Sequence, residues 1–170
     1  MGQGRSRALN QPAIWASQAI YKFEVAVTLF EGQLWQDSCL ASQQAAELIG
    51  KAILFHCDID FRKTHDIGLI FRRAEEAEVL VMSDELNGAA NQMTRDYLEG
   101  RYPRPDSERP PHSLFDKRDA IKRISWAQDF PDMAAHIMPD VLTEDNINYI
   151  HSLTGTITHF PPRGEFIGTP

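Results

Sequence analysis

The sequence predicts an all-α fold: an up-and-down bundle of about five helices, followed by a short helix and an extended C-terminal tail. Three observations predict it. Apolar residues recur at alternating spacings of three and four in one segment after another, which marks one face of a helix. Residues that cap helices stand in front of several of these segments. Strand signals are almost absent, Gly155-Thr-Ile-Thr-His-Phe160 being the one candidate. A chain of 170 residues with 42% hydrophobic content suits one domain with a real core.

Residues 1–11 are polar and expected to be frayed or disordered. Pro12 suits a first helical turn, where its missing N–H costs nothing. Ile20, Phe23, Val27, Phe30 and Leu34 then form a stripe, and Gly32 predicts a turn around residues 31–34. The second helix reads from about Trp35 to Phe55, with Ala41, Ala45, Leu48, Ala52 and Phe55 on one face. That face is small in volume and permits close approach of another helix, in this chain or in a second subunit. The pattern breaks over residues 56–63. Thr64 is placed to cap a third helix carrying Ile67, Ile70, Ala74, Ala77 and Val81. Ser83 is the next candidate cap, Leu86, Ala90, Met93 and Tyr97 carry a fourth helix, and Gly100 is placed to end it.

Pro103, Pro105, Pro110 and Pro111 punctuate a loop. A fifth helix is expected from Ser113, carrying Ala120, Ile121, Ile124 and Ala127, with Pro131 interrupting or restarting it before Met138. Thr143 is placed to cap a last short helix through Leu153, and residues 154–170 read as extended or loop. No period of about 20–50 residues repeats, which excludes a solenoid.

The formal net charge is −7 and the pI near 5.3, so any contact with nucleic acid phosphates must be local. The charge is uneven. Between Arg101 and Arg123 seven basic residues face four acids, and from Asp129 onward six acids face one base, Arg163. This describes either two solvated faces of opposite sign or a local anion site beside an acidic docking tail. Cys39 and Cys57 are the only cysteines. Eighteen residues of continuous helix would separate them by about 27 Å, too far for a disulfide. Reduced thiols and a cytoplasmic location follow as expectations, together with the lack of a signal-peptide pattern. No apolar run is long enough to span a bilayer, so no membrane contact is expected.

Several chemistries lack their residues. His56, His65-Asp66 and Asp84 invite comparison with His-Asp metal phosphohydrolases, but His56 and His65 flank one short loop and are spaced too tightly. No Glu-x-x-His pair, GxxxxGK[ST] or GxGxxG occurs. Neither a metal nor a cofactor is therefore expected.

Three segments remain informative: Gln43-Gln-Ala-Ala-Glu-Leu-Ile-Gly-Lys-Ala-Ile-Leu54 late in the second helix, Thr64-His-Asp-Ile-Gly-Leu-Ile70 opening the third, and Tyr97-Leu-Glu-Gly-Arg-Tyr-Pro103 ending the fourth. In order and spacing they resemble the HEPN domains, the nucleotide-binding helical domains of higher eukaryotes and prokaryotes, in the branch with an Arg-Tyr-Pro ending that is associated with nucleotidyltransferases. The resemblance covers roughly residues 12–138 and leaves 139–170 as a C-terminal extension. It implies a homodimer with a nucleotide or phosphate site near the dimer cleft. It also implies a nucleotidyltransferase or a similar toxin–antitoxin or defence-type enzyme as partner.

The ligand-binding candidates are His65, Tyr97, Arg101 and Tyr102. Guanidinium pairs with phosphate in a bidentate manner, tyrosine rings stack on bases, and a helix start favours anions near His65. Each has a plainer alternative: Arg101 closing the helix, Tyr97 in the core, His65 in a cap or an inter-helix hydrogen bond. Glu47 and Lys51, one turn apart, read as an ordinary surface pair. The sequence departs from ribonucleases of the resembled family, which carry an arginine followed four to six residues later by histidine. Arg62 precedes His65 and Arg109 precedes His112 with only two residues between, whereas Arg104 and His112 have seven between. The expectation is a non-catalytic protein that binds a nucleotide or phosphate group, with a nucleotide or RNA as candidate partner. The alternatives are a ribonuclease using Arg101 with His65 or His112, and a structural adaptor docking through its acidic, proline-containing tail.

Overall fold

The computed structural model describes residues 11–60, 63–155 and 157. Among these, six α-helices follow one another: α1 Gln11–Glu31, α2 Trp35–His56, α3 Ile67–Glu76, α4 Asp84–Arg101, α5 Lys117–Ile137 and α6 Glu144–Thr154, with a short 3-10 turn at Pro111–Leu114. No strand occurs among the described residues, in line with the predicted all-α class. Residues 1–10 of the segment expected to be frayed, and most of the Gly155–Phe160 strand candidate, lie outside the described residues, whereas Gln11 already opens α1.

α2 is the axis of the bundle and packs against α1, α3, α4 and α5. From Ser38 to Leu54 every residue is buried except Leu40, Gln44 and Leu48. Their spacing of four places them on a single line along the helix. The small residues Ala41, Ala45 and Ala52 are covered by the chain's own helices. The close approach they permit is therefore used within the chain, and the stripe supplies no reason for a second subunit. Gly50 shows how tight this packing is, since a Cβ there would meet Cγ2 of Ile70 at 2.6 Å.

α1 buries Ala16, Ala19, Phe23, Val27 and Phe30. Leu34, expected on this stripe, instead lies in the turn after α1 and is exposed, because Gln33 takes a positive φ of 61° and redirects the chain. α3 is capped by Asp66, whose side chain accepts from the Leu69 N–H, and not by Thr64. Thr64 Oγ1 instead accepts from the Asp66 N–H. α3 ends at Glu76, and Glu78 turns the chain at φ 57°. Val81, expected in the buried stripe, is consequently 90% exposed.

Ser83 caps α4 as predicted, accepting from Leu86. Gly100 does not end that helix, which runs one residue further to Arg101. The glycine serves a close approach: a Cβ at this position would meet the Phe115 ring at 3.2 Å and Leu40 Cδ2 at 3.3 Å. Tyr102 is extended, as a residue before proline must be, and it stops the helix. α5 starts at Lys117 rather than Ser113, because Asp116 and Asp119 form a reciprocal capping box while the Ser113 hydroxyl bonds to the Pro110 carbonyl. Pro131 neither interrupts nor restarts α5; it is buried within a continuous helix. Thr143 caps α6 through a capping box with Asn146.

One buried ion pair ties α4 to α5. Arg123 Nε donates to Asp96 Oδ2 at 2.6 Å and its second nitrogen to Oδ1 at 3.2 Å. Both residues are under a tenth exposed. Burial works against the Arg123 charge, but the hydrogen bonds and charge of Asp96 outweigh it and hold the guanidinium firmly protonated. No helix among the described residues is long and apolar enough to cross a membrane.

Candidate functional site

The open line on α2 becomes the floor of a cleft. Leu40, Gln44 and Leu48 line a volume of about 420 Å³ together with Glu47, with Gln18 and Lys22 from α1, His65 ahead of α3, and Tyr97 and Arg101 from α4. The floor stays open because α1 and α4 flank it, while the segment before α3 closes one end with His65.

Three of the four sequence candidates meet here. The imidazole of His65 stacks on the Tyr97 ring at a centroid distance of 4.9 Å and an angle of 27°. One turn later on α4, Arg101 donates to the Tyr97 hydroxyl, and its guanidinium carbon lies 5.2 Å from the ring centroid. Tyr97 is thus a half-buried bridge between His65 and Arg101, not a member of the closed core. Tyr102 stands apart. Its ring lies 5.5 Å from the Arg101 guanidinium carbon, but it is 65% exposed and does not line the cleft. It braces the arginine from the outer side.

Glu47 and Lys51, read from the sequence as a surface pair, are buried. Their side chains are 8% and 7% exposed, and Lys51 Nζ sits 2.6 Å from Glu47 Oε1. The cause is the central position of α2, which leaves almost no surface on which a pair could lie. The carboxylate also accepts from Gln43 Nε2 at 3.0 Å and lies 3.2 Å from His65 Nδ1 through each oxygen. His65 therefore makes an inter-helix hydrogen bond, one of the two roles its position allowed. At the α3 N-terminus the Leu69 N–H is taken by the Asp66 carboxylate and the Ile67 N–H by the Thr94 hydroxyl, so neither serves the anion site expected beside His65.

Sequence reasoning missed Glu47 as the partner of His65, and it missed the α1 residues Gln18 and Lys22. A signal existed for Glu47: Gln43, Glu47 and Lys51 recur every four residues, and from Ala45 to Phe55 the helix is otherwise apolar apart from Gly50. For Lys22 no such signal exists, because it looks like any polar residue on the outer face of an amphipathic helix. His112, named for the ribonuclease alternative, lies exposed in the 3-10 turn and does not line the cleft.

The electrostatics are lopsided. Among the described residues neither Arg101 nor Lys22 has an ion-pair partner, while the only carboxylate lining the cleft, Glu47, is engaged by Lys51. Two uncommitted cations, a stacked imidazole and two glutamine amides suit an anionic group attached to a planar or polar body. No group of three or more potential metal ligands occurs among the described residues.

Comparison with known proteins agrees with this architecture. The HEPN domain model matches residues 13–137. The crystal structure of TT1696 from Thermus thermophilus superposes with a TM-score of 0.68 at 22% identity, covering 75% of this chain and 98% of that one. ST0689, described as an archaeal HEPN homologue, superposes with a TM-score of 0.61 at 24% identity, covering 74% of this chain and 96% of that one. No curated protein matches in sequence. At these identities the two structures speak for the fold, whereas the domain model spans most of the chain: this protein belongs to the HEPN family.

Proposed function

We propose that this chain is a non-catalytic HEPN protein that binds a nucleotide or phosphate group in the cleft between α1, α2 and α4. In this reading it acts as a homodimer and partners a nucleotidyltransferase or a related defence-type complex. One observation carries the ligand reading: Arg101 and Lys22 face one cleft, with no ion-pair partner among the described residues, beside the His65–Tyr97 stack. A surface arginine ordinarily has no rigid neighbours. Arg101 is held against Tyr97 and Tyr102 on two sides, and Pro103 restrains the chain that follows. Ile14 and Tyr21, seven residues apart on one face of α1 and both more than half exposed, favour a second copy on that side. Isothermal titration with ATP, GTP and a short RNA tests the ligand reading. Binding tighter than millimolar that weakens at high salt supports it, and no binding sinks it. A micromolar protein that light scattering reports as a monomer at every concentration would refute the dimer.

A second reading, a ribonuclease without the family's arginine–histidine spacing, is favoured by the Glu47–His65 contact. A carboxylate on Nδ1 orients an imidazole so that Nε2 can act as a base, and Arg101 lies in the same cleft to stabilise a phosphate. RNA cleavage by the isolated protein, abolished in His65→Ala, would establish that reading and overturn the non-catalytic one.

A further inference from the structure

On the reading that this cleft binds a phosphate group, we propose that it selects a terminal phosphate monoester over a phosphodiester, and that His65 takes up a proton as the monoester binds. The geometry of Glu47 is the starting point. Its buried carboxylate receives Lys51 at 2.6 Å, Gln43 at 3.0 Å and His65 Nδ1 at 3.2 Å. An ionised carboxylate only accepts hydrogen bonds, so Nδ1 carries its proton whether the ring is neutral or charged. Nε2 diverges from Nδ1 across the ring and points away from Glu47. The side chain is 49% exposed and lines the cleft, so Nε2 is the nitrogen whose protonation changes beside a bound ligand.

The surrounding charges decide what that proton does. From α2, Glu47 and Lys51 cancel each other. Asp66, next in sequence, has its carboxylate engaged as the cap of α3. From α4 come Arg101 and the Tyr97 ring, and from α1 comes Lys22. With His65 neutral, the lining offers two uncommitted positive charges; with His65 protonated it offers three. A phosphodiester carries one negative charge, whereas a terminal phosphate carries about −1.5 to −2 at pH 7. The monoester's additional negative charge favours the imidazolium more strongly than the single charge of the diester does. The Tyr97 ring stacked at 4.9 Å adds its quadrupole in the same sense.

The test is isothermal titration of the full chain with adenosine 5′-monophosphate and with its phosphate methyl ester. It is run at about pH 7.5, above the second phosphate pKa of about 6, in two buffers of different ionisation enthalpy. The monoester should bind at least about tenfold more tightly, the size of one added charge-assisted contact. Its apparent heat should differ between buffers by the uptake of about one proton, and by clearly more than that of the diester. In His65→Gln, whose helical content is checked by circular dichroism, the uptake should vanish and the preference for the monoester should shrink while binding persists through Arg101. Equal affinities in the parent protein, or monoester binding with no buffer dependence, would overturn the proposal and leave the phosphate reading standing. Failure of both ligands to bind would overturn both.

Discussion

The protein holds two arginine-centred clusters that differ in one respect. At the α4–α5 junction, Arg123 is matched by Asp96 in a bidentate pair that is closed to solvent, with the partly exposed Asp119 alongside. At the cleft, Arg101 has only tyrosines, and Lys22 has no ion-pair partner among the described residues. The first cluster is internally neutralised and joins two helices. The second keeps surplus positive charge on an open wall. A buried charge must be paired to be tolerated, whereas an exposed charge costs little when unpaired and stays available. The location of each arginine thus separates a structural role from the binding role proposed for Arg101 more sharply than its residue type does.

The largest expected effect breaks the closed cluster. Asp96→Ala leaves Arg123 buried without its carboxylate and should cost about 3–5 kcal/mol of stability. Urea unfolding monitored by helical signal reads this directly, and a loss below about 1 kcal/mol would show that Arg123 finds another partner or escapes to water.

The open cluster should respond in the opposite way. Arg101→Ala should leave unfolding stability within about 0.5 kcal/mol of the parent, as a surface substitution does. It should weaken nucleotide binding by about 1.5–3 kcal/mol, and Arg101→Lys should restore only part of that because an ammonium lacks the planar fork. If Arg101→Ala binds as tightly as the parent, the two clusters are both structural and the contrast fails.

Cys39 reports on how thoroughly the Arg123 charge is committed. The thiol is fully buried beside this cluster, and burial pushes it up to about 12 even though Arg123 pulls the other way. An unfolded thiol ionises at about 8.5. Between these values the unfolded state holds fewer protons than the folded one, so this contribution is intact below the lower value and is lost as pH rises through the window. Stability should decline there by up to about 1.4 kcal/mol per pH unit, with a flatter slope in Cys39→Ala. Equal slopes would show that the thiol is not held protonated. A thiol reagent should correspondingly label the half-exposed Cys57 first and Cys39 only on unfolding.

The smallest effect belongs to the solvent-facing pairs. Arg104 lies 3.7 Å from Glu99 and 3.8 Å from Asp106 with its side chain 58% exposed. Arg104→Ala should change stability by less than about 1 kcal/mol, which sets the baseline against which Asp96→Ala is judged.

Much of the candidate site was legible in the sequence. His65, Tyr97 and Arg101 do share one cleft, although they are spread over 37 positions of the chain and two elements. They stand in two of the segments that carry the family resemblance, His65 just ahead of α3 and Tyr97 and Arg101 in the last turns of α4, where the motif is local in sequence. Lys22 and Gln18 were not found, since a residue on the outer face of one helix joins a cleft only when a second helix is laid beside it. Glu47 was misread for a related reason: an i,i+4 acid–base pair looks the same on a surface and inside a bundle. Gly100 was read as a terminator because glycine often ends helices, whereas here it admits Phe115 and Leu40.

The sequence by itself determined the all-helical class and the caps at Ser83 and Thr143, because hydrophobic period and side-chain-to-backbone bonding act over a few neighbouring residues. Only the tertiary structure decided that α2 lies at the centre, that Glu47 and Lys51 are buried, that Asp96 finds Arg123 across 27 residues, and that one line of α2 stays open as a cleft. Those outcomes depend on which helix covers which face. Burial, and with it the choice between a neutralised pair and an uncommitted charge, follows from that packing and from no local stretch of chain.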